Sequence, residues 1–205
     1  MFQFSSRRRR VAGLVVSGAS LLATVGAGGL VAPAASAGQK INGCSIVSNP
    51  TPHRFTNCPG ANLSGANLRG DDLGYANLAG ANLSYAFLRN AFLRRATLSS
   101  ATLVGSSFTD ANLGHANLTN VNAKNAFFPG ANLTSANLRN ADADNASFKY
   151  AQLWHARLYY ANFTDADFSG SNNLCNTYGW GTATFTGAKP PDFHRDLPFY
   201  NAPDC

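Results

Sequence analysis

The side chains of this sequence that could do chemistry are a small set of arginines, aromatic residues and aspartates. Only 13% of the 205 residues are charged, and every acidic residue is an aspartate. Four arginines fall within one stretch of the chain, at Arg69, Arg89, Arg94 and Arg95. Grouped guanidinium groups suit an anionic partner such as a wall polymer or an acidic glycan. These residues are a candidate anionic-ligand patch, and a solvated stripe that keeps the protein soluble is the alternative.

Aromatic residues cluster later in the sequence and form a second candidate site. This candidate aromatic contact patch consists of Tyr150, Trp154, His155, Tyr159 and Tyr160. Exposed aromatic rings can stack on sugar rings or pack against a partner protein. The alternative is that the C-terminal segment of the chain covers them.

Catalysis is not indicated by the residue pattern. No activated nucleophile and no glycine-rich phosphate loop can be recognised, so we expect no enzyme, no catalytic residue, no cofactor and no metal. A modest acidic patch has oxygen atoms that could hold calcium, although aspartates are also common at chain corners. Its members are Asp142, Asp144, Asp165, Asp167, Asn122 and Asn162.

The first 37 residues resemble a secretory signal peptide. Arg7–Arg10 form a positive start, Val11–Val31 are mostly apolar, and Ala35–Ala37 offer a small-residue cleavage site. We expect an exported protein, secreted or associated with the cell envelope, with no membrane contact after cleavage. Retention as a membrane anchor is the alternative, and either the general or the twin-arginine export route fits.

Export gives the four cysteines a structural meaning. Cys44, Cys58, Cys175 and Cys205 are an even number for an oxidising compartment, where disulfides persist. Three pairings are possible, and the two local ones, Cys44 with Cys58 and Cys175 with Cys205, fit a chain whose ends are held apart. A zinc site is the alternative, although no close cysteine pair supports it.

Residues 61–170 repeat every five residues without a break. The 22 units have alanine at the first position in 19 cases, leucine or phenylalanine at the third in 20, and asparagine or aspartate at the second in 13. This period matches neither an amphipathic helix nor an alternating strand, and internal repeats indicate a solenoid. The small first and large third residues can both point inward if the chain is extended between them.

The tandem Ala-(Asn/Asp)-Leu-x-x pattern resembles the pentapeptide-repeat family. The resemblance implies an all-β fold, a right-handed quadrilateral β-helix with four units in each coil. Residues twenty apart then stack, which places Leu63, Leu83 and Leu103 on one inner face. It also sets Ala123 beside Phe128, so that a larger neighbour compensates for a smaller side chain.

The same register brings the candidate patches together on the outside. Arg69 and Arg89 are expected to stack, with Arg94 and Arg95 on the adjoining face. A further strip of aromatic residues stands where asparagine is usual, and could be a contact strip or packing for the N-terminal segment. It comprises Phe87, Phe92 and Phe127.

Open ladder edges at both ends of such a coil need covers. We predict an N-terminal cap over residues 38–60 and a C-terminal capping segment over residues 171–205, both tethered by disulfides. The C-terminal segment resumes the period in a shifted frame at Ala183–Ala188. A dimerisation role for this segment is the alternative.

The sequence therefore predicts an exported, non-catalytic scaffold that is structural or binds an unidentified partner, an anionic envelope polymer or a protein. The alternative is a DNA-mimicking protector of a nucleic-acid enzyme such as gyrase, as the resemblance allows. Such mimicry needs a strongly acidic surface, whereas the 22 units carry eight basic and seven acidic residues. We therefore expect no nucleic-acid partner.

Overall fold

The computed structural model describes residues 40–172 and 174–191, and most of them form a β-helix. From Asn57 to Gln152, the second residue of each unit makes a parallel β-bridge with the residue twenty positions ahead, as in Asn57 with Asn77 and Gln152 with Asn172. Two short antiparallel strands precede the coils, β1 (Lys40–Ile41) and β2 (Cys44–Ser45). Two 3₁₀ turns, Leu174–Asn176 and Trp180–Thr182, interrupt the last coil. In the part of the chain described, no helix has the length and apolar composition of a membrane span.

The five-residue period follows from where the backbone N–H groups of a unit find acceptors. The second, third and fifth residues donate to carbonyls of neighbouring coils: Leu63 N–H to Asn82 at 2.7 Å, Gly65 N–H to Ser84 at 2.9 Å, and Asn82 N–H back to Ala61 at 2.9 Å. The first residue donates across the corner, as Ala66 does to Leu63 at 3.0 Å. Four N–H groups of each regular unit are thus satisfied by other backbone atoms, as buried backbone requires.

The remaining N–H group explains the asparagine. The fourth residue's N–H donates to the side-chain oxygen of the second residue, as in Ser64 to Asn62 at 3.2 Å, Gly114 to Asn112 at 3.1 Å and Ser169 to Asp167 at 3.0 Å. An Asn or Asp side chain bonding its own backbone two residues on is a known turn device. The second position of the repeat is therefore a corner brace for the chain.

The fifth residue of every unit from Gly65 to Gly170 has a left-handed backbone conformation, with φ between 53° and 69°. Sixteen of these 22 residues are not glycine, among them Tyr85, Arg95 and His115. A left-handed conformation costs an L-residue roughly 1–2 kcal/mol, and the ladder bonds on both sides offset this cost.

The inward positions form one continuous apolar column. Phe108, Phe128, Phe148 and Phe168 stack face to face, with successive ring centroids 5.0, 4.9 and 5.0 Å apart. This confirms the predicted stacking of residues twenty apart. Leu63, Leu83 and Leu103 are completely buried, and Ala123 and Ala143 lie in the same core as the larger rings.

Asp71 is the charged exception in this interior. It occupies a first position, where alanine is usual, and is only 5% exposed. No described residue donates a hydrogen bond to its Oδ2 atom, and desolvation by burial raises the pKa of Asp71 to about 6. The polar residue Ser106, at another first position, is satisfied instead, because its hydroxyl donates to the Leu103 carbonyl at 2.6 Å.

At the N-terminal end, the ladder includes one unit more than the sequence pattern indicates. Residues 56–60 pair with the next coil through Cys58 N–H and the Asn77 carbonyl at 2.8 Å, with Thr56 and Cys58 in place of alanine and leucine. Cys58 forms a disulfide with Cys44, which confirms that local pairing. The predicted signal peptide, residues 1–37, lies outside the described residues.

At the C-terminal end, the ladder continues through small insertions. Arg157 pairs with Tyr178, Asn162 with Thr184, and Asp167 with Lys189, so the segment in the shifted frame does pair with the last regular coil. The Phe185 ring stacks on Phe163 at 5.2 Å and on Trp180 at 4.1 Å. The partner predicted for Cys175, Cys205, lies in residues 192–205, outside the described part of the chain.

Candidate functional site

A basic–aromatic surface lies on two adjoining outer columns of the early coils. It consists of the four arginines of the predicted patch and two phenylalanines: Arg69, Arg89, Arg94, Arg95, Phe87 and Phe92. Phe87 pairs with Asn67 and Phe92 with Asp72 in the ladder, so the two rings occupy neighbouring columns of one coil. They are 42% and 54% exposed. The structure therefore brings the predicted arginines together with two of the three predicted phenylalanines.

The arginines of this surface are held mainly by rings and by one carboxylate. The Arg69 Cζ atom lies 4.3 Å from the Phe87 ring centroid, and its Nη1 donates to Asn67 Oδ1 at 3.2 Å. Arg89 is 3.7 Å from Asp110, an exposed ion pair of small energetic value. Arg94 makes no ion pair within the described chain. The surface thus keeps cationic groups available to an anionic partner.

The two phenylalanines give up the corner brace that asparagine supplies. With Phe87 and Phe92 at second positions, the N–H groups of Arg89 and Arg94 have no side-chain acceptor among the described residues. Phe127 differs, because the fourth residue of its unit is Pro129, which has no N–H to satisfy. Exposed rings that displace a stabilising side chain, next to arginines, point to contact with another molecule.

The predicted aromatic contact patch divides into two groups in the structure. In the first group, Trp154 packs edge-on against His155, with ring centroids 5.1 Å apart. The Tyr178 ring also stacks on His155, with centroids 5.6 Å apart. The Tyr178 hydroxyl is 3.2 Å from His155 Nδ1. Sequence reasoning missed Tyr178, because an insertion before it moves it out of the five-residue frame.

Of the other aromatic residues, Tyr150 lies in the unit before Trp154, and Tyr159 and Tyr160 lie in the unit after it; all three are exposed. The Arg139 Cζ atom lies over the Tyr160 ring, 5.7 Å from its centroid. The structure shows no described residue covering the patch completely; the predicted cover would involve residues 192–205, outside the described chain.

An open cleft of about 490 Å³ lies beside this patch. Its lining residues come from three successive coils: Asn137, Arg139, Arg157, Tyr159 and Tyr178. Arg139 and Arg157 were not among the predicted site residues. The twenty-residue register alone could have placed Arg157 next to Asn137, but the alignment with Tyr178 depends on the insertion.

Two of the four aspartates that could have held calcium, Asp142 and Asp167, are paired with lysines. Lys124 lies 3.1 Å from Asp142, and Lys149 and Lys189 lie 3.3 and 3.6 Å from Asp167. Burial tends to raise the pKa of Asp167, but hydrogen bonds from Ser169 and the Lys149 charge lower it overall. Within residues 40–172 and 174–191, no three His, Cys or Asp side chains are arranged to share a metal ion.

Solved structures that match the chain include two pentapeptide-repeat proteins and a resistance protein. A pentapeptide repeat protein from the Arabidopsis thaliana thylakoid lumen is 28% identical, with 56% of this chain and 88% of that one covered and a TM-score of 0.49. Rfr23 from the cyanobacterium Cyanothece 51142 is also 28% identical, covering 66% and 87% with a TM-score of 0.37. QnrB1, a plasmid-mediated fluoroquinolone resistance protein, is 18% identical, covering 71% and 78% with a TM-score of 0.43. No curated protein matches the chain.

A family model described as pentapeptide repeats matches the chain in eight copies. The matched residues are 76–114, 111–149 and 136–172. These ranges coincide with the regular coils, and a right-handed winding of the β-helix follows from the match.

Proposed function

The chain belongs, through residues 76–172, to the pentapeptide-repeat family, and from that premise we propose that it is an exported, non-catalytic solenoid that binds an anionic polymer of the cell envelope. Proteins of this family are in general structural or binding proteins. The inward positions of this chain hold alanine, leucine and phenylalanine almost throughout, so its polar chemistry is confined to the outside.

The basic–aromatic surface carries this proposal. Its arginines lie beside exposed rings at Phe87 and Phe92, where the repeat would otherwise have a corner brace. Arginine forks are suited to carboxylate, sulfate or phosphate groups, and flanking rings hold guanidinium planes in place. The surface therefore combines charge with two apolar contact points.

Export and placement at or outside the envelope are part of the proposal. The Cys44–Cys58 disulfide fits an oxidising compartment, and the first 37 residues have the composition of a signal peptide. A near-neutral repeat region argues against DNA mimicry, since protection of gyrase by that mechanism would need a strongly acidic surface.

We also propose a four-sided cross-section and two end caps. Four units in each twenty-residue coil, each with one left-handed corner residue, support a square path. At one end, Cys44 and Ile46 are buried against the first coil; at the other, Trp180 and Phe185 lie over the final rings. These residues support a covering role for both segments.

Elution of the purified full chain from a heparin column tests the binding proposal. Replacing Arg89 and Arg94 together by serine should lower the salt concentration needed for elution to roughly half, because counterion release scales with the number of charges engaged. The matched control replaces Lys124 and Lys149 by serine, which removes the same charge outside the surface, from residues that lie closer to their aspartates than Arg89 does to Asp110. Equal shifts in the two double variants would contradict a specific surface.

A further inference from the structure

We propose that the cleft between Arg139, Arg157, Tyr159 and Tyr178 is a second binding site, which takes a carboxylate-bearing sugar. It lies on a different column of the coil from the basic–aromatic surface, and its argument does not depend on that surface. Its volume of about 490 Å³ is in the range of small-ligand sites.

The cleft has two positively charged groups, Arg139 and Arg157, and no ion pair within the described chain balances their charge. Arg157 pairs with Asn137 on one side of the ladder and with Tyr178 on the other, so its column offers no carboxylate nearby. All outward positions of this column from Asn57 to Tyr160 lack an acid, and its only charged residues are Arg139 and Arg157. Within the described chain neither arginine forms an ion pair. Two guanidinium groups without a carboxylate partner among the described residues favour an anion from outside.

A backbone donor adds to this charge. Arg157 occupies the second position of its unit, where asparagine usually accepts a hydrogen bond from the fourth residue. The N–H of the fourth residue here, Tyr159, therefore lacks this acceptor, and no other described residue accepts a hydrogen bond from it. An N–H left without an acceptor at a site lined by two arginines suits an oxyanion that brings its own acceptor.

The two tyrosines of the cleft are held in place by their surroundings. Tyr178 is fixed by stacking on His155 and by the contact of its hydroxyl with His155 Nδ1 at 3.2 Å. Tyr159 lies against Gly179, where a Cβ atom would come within 2.4 Å of Tyr159 Cγ. This glycine, whose φ is 79°, therefore lets the ring lie close to the final coil. Fixed rings lose little entropy on binding.

These features together select the ligand class. Exposed tyrosine rings give an apolar face with a polar edge, which matches the C–H faces and hydroxyl groups of a sugar ring. The guanidinium groups match a carboxylate by paired hydrogen bonds. A phosphate chain would be recognised best by a row of free backbone N–H groups or a helix N-terminus; in the regular coils those N–H groups are engaged in the ladder.

Calorimetric titration of the full chain with trigalacturonate tests the site, with maltotriose and tripolyphosphate as comparison ligands. We expect binding of trigalacturonate, and affinities at least about tenfold weaker for the neutral sugar and for the phosphate. Arg157→Gln and Arg139→Gln should each weaken trigalacturonate binding about tenfold, the loss of one charged hydrogen bond. Gln152 already occupies a second position in a regular unit, so glutamine at 157 is compatible with the coil.

The control variant is Lys124→Gln, which removes one positive charge outside both surfaces, from a residue already paired with Asp142, and should leave trigalacturonate binding within about twofold of the original. The thermal unfolding midpoint of each variant verifies that the coil is intact. Trigalacturonate binding that survives both cleft substitutions, or binding no tighter than that of maltotriose, would overturn the proposal. Stronger binding of tripolyphosphate would overturn it in favour of a phosphate ligand. If the Arg89 and Arg94 substitutions lower the salt needed for elution from heparin as expected while trigalacturonate does not bind, the cleft proposal is wrong and the proposal for the basic–aromatic surface is retained.

Discussion

The inward and outward sides of the coil obey different rules. Inward, residue type is narrow, and the rings of Phe108, Phe128 and Phe148 stack at nearly constant spacing. Outward, the same ladder carries arginine, tyrosine, lysine and aspartate without a change in its hydrogen bonds. Stability therefore depends on the inner column and the corner braces, and the outer columns are free to carry binding groups. Three substitutions probe this division.

The largest effect is expected for the central ring of the inner stack. Phe128→Ala removes the ring that contacts Phe108 and Phe148 from both sides, and its neighbour Ala123 is too small to fill the space. We expect a loss of about 3–5 kcal/mol in the free energy of unfolding. Chemical denaturation measures it, and Phe127→Ala is the control. Phe127 is an exposed ring next in the sequence, so its removal should cost less than about 1 kcal/mol. Similar losses for the two variants would abolish the distinction between the sides.

A stabilising effect is expected where the inner column holds a charge. Asp71→Ala restores the usual first-position residue and removes an oxygen without a donor, so stability at pH 7 should rise by about 1–3 kcal/mol. The pKa of Asp71 is raised from 3.8 to about 6 in the folded protein, so the folded state binds the proton more tightly than the unfolded chain. Ionisation of Asp71 adds no penalty below about pH 3.8, and stability is lost progressively as pH rises from about 4 to 6.

The difference in unfolding free energy between wild type and Asp71→Ala should therefore grow across that pH window and level off above it. Taking the difference cancels the opposite trend from Asp167, whose lowered pKa makes it a stabilising group at higher pH. The control is Asp72→Asn, at the adjacent outward position, whose Oδ1 accepts the Gly74 N–H at 3.1 Å. Asparagine keeps that bond, so no gain is expected. A flat difference from pH 4 to 7 would mean that Asp71 is not buried as a charge.

The smallest effect tests the corner brace. Asn112→Ala leaves the Gly114 N–H without its 3.1 Å acceptor, and we expect a loss of about 1 kcal/mol, as for a helix cap. Asn112→Asp should retain most of the stability, since Asp167 braces its own corner in the same way. Gln152→Ala is the matched control, because no described residue bonds to the Gln152 side chain. A loss at Gln152 equal to that at Asn112 would contradict the role assigned to asparagine.

The regular part of the fold could be predicted because burial restricts each position of the unit so strongly. The period and the family resemblance together predict that Leu63 lies under Leu83, which the ladder confirms, and that Phe128 and Ala123 are both inward, which their burial confirms. The role of asparagine was only partly predicted. The sequence shows that asparagine recurs at the second position, but only the coordinates show that the left-handed corner is the fifth residue and that Asn62 braces the N–H of Ser64.

The ends and the cleft could not be predicted from the period. Unit 56–60 is hidden because Cys58 replaces leucine and is recognisable only with its disulfide to Cys44. The cleft depends on an extra residue before Tyr178, which moves that side chain opposite Arg157. An insertion changes the register without leaving a periodic signal, so only coordinates reveal which side chains then meet.

The backbone pattern of the regular unit has a consequence for length. Each coil donates and receives the same set of bonds as the coils above and below it, so neither face of an internal coil is special. A segment such as residues 91–110 could be duplicated, or removed, and the surfaces that meet would still be complementary. Insertions of whole twenty-residue coils therefore preserve the columns. A gain of five or ten residues would instead shift every later column by a quarter or half of a coil and separate binding groups that now share a column.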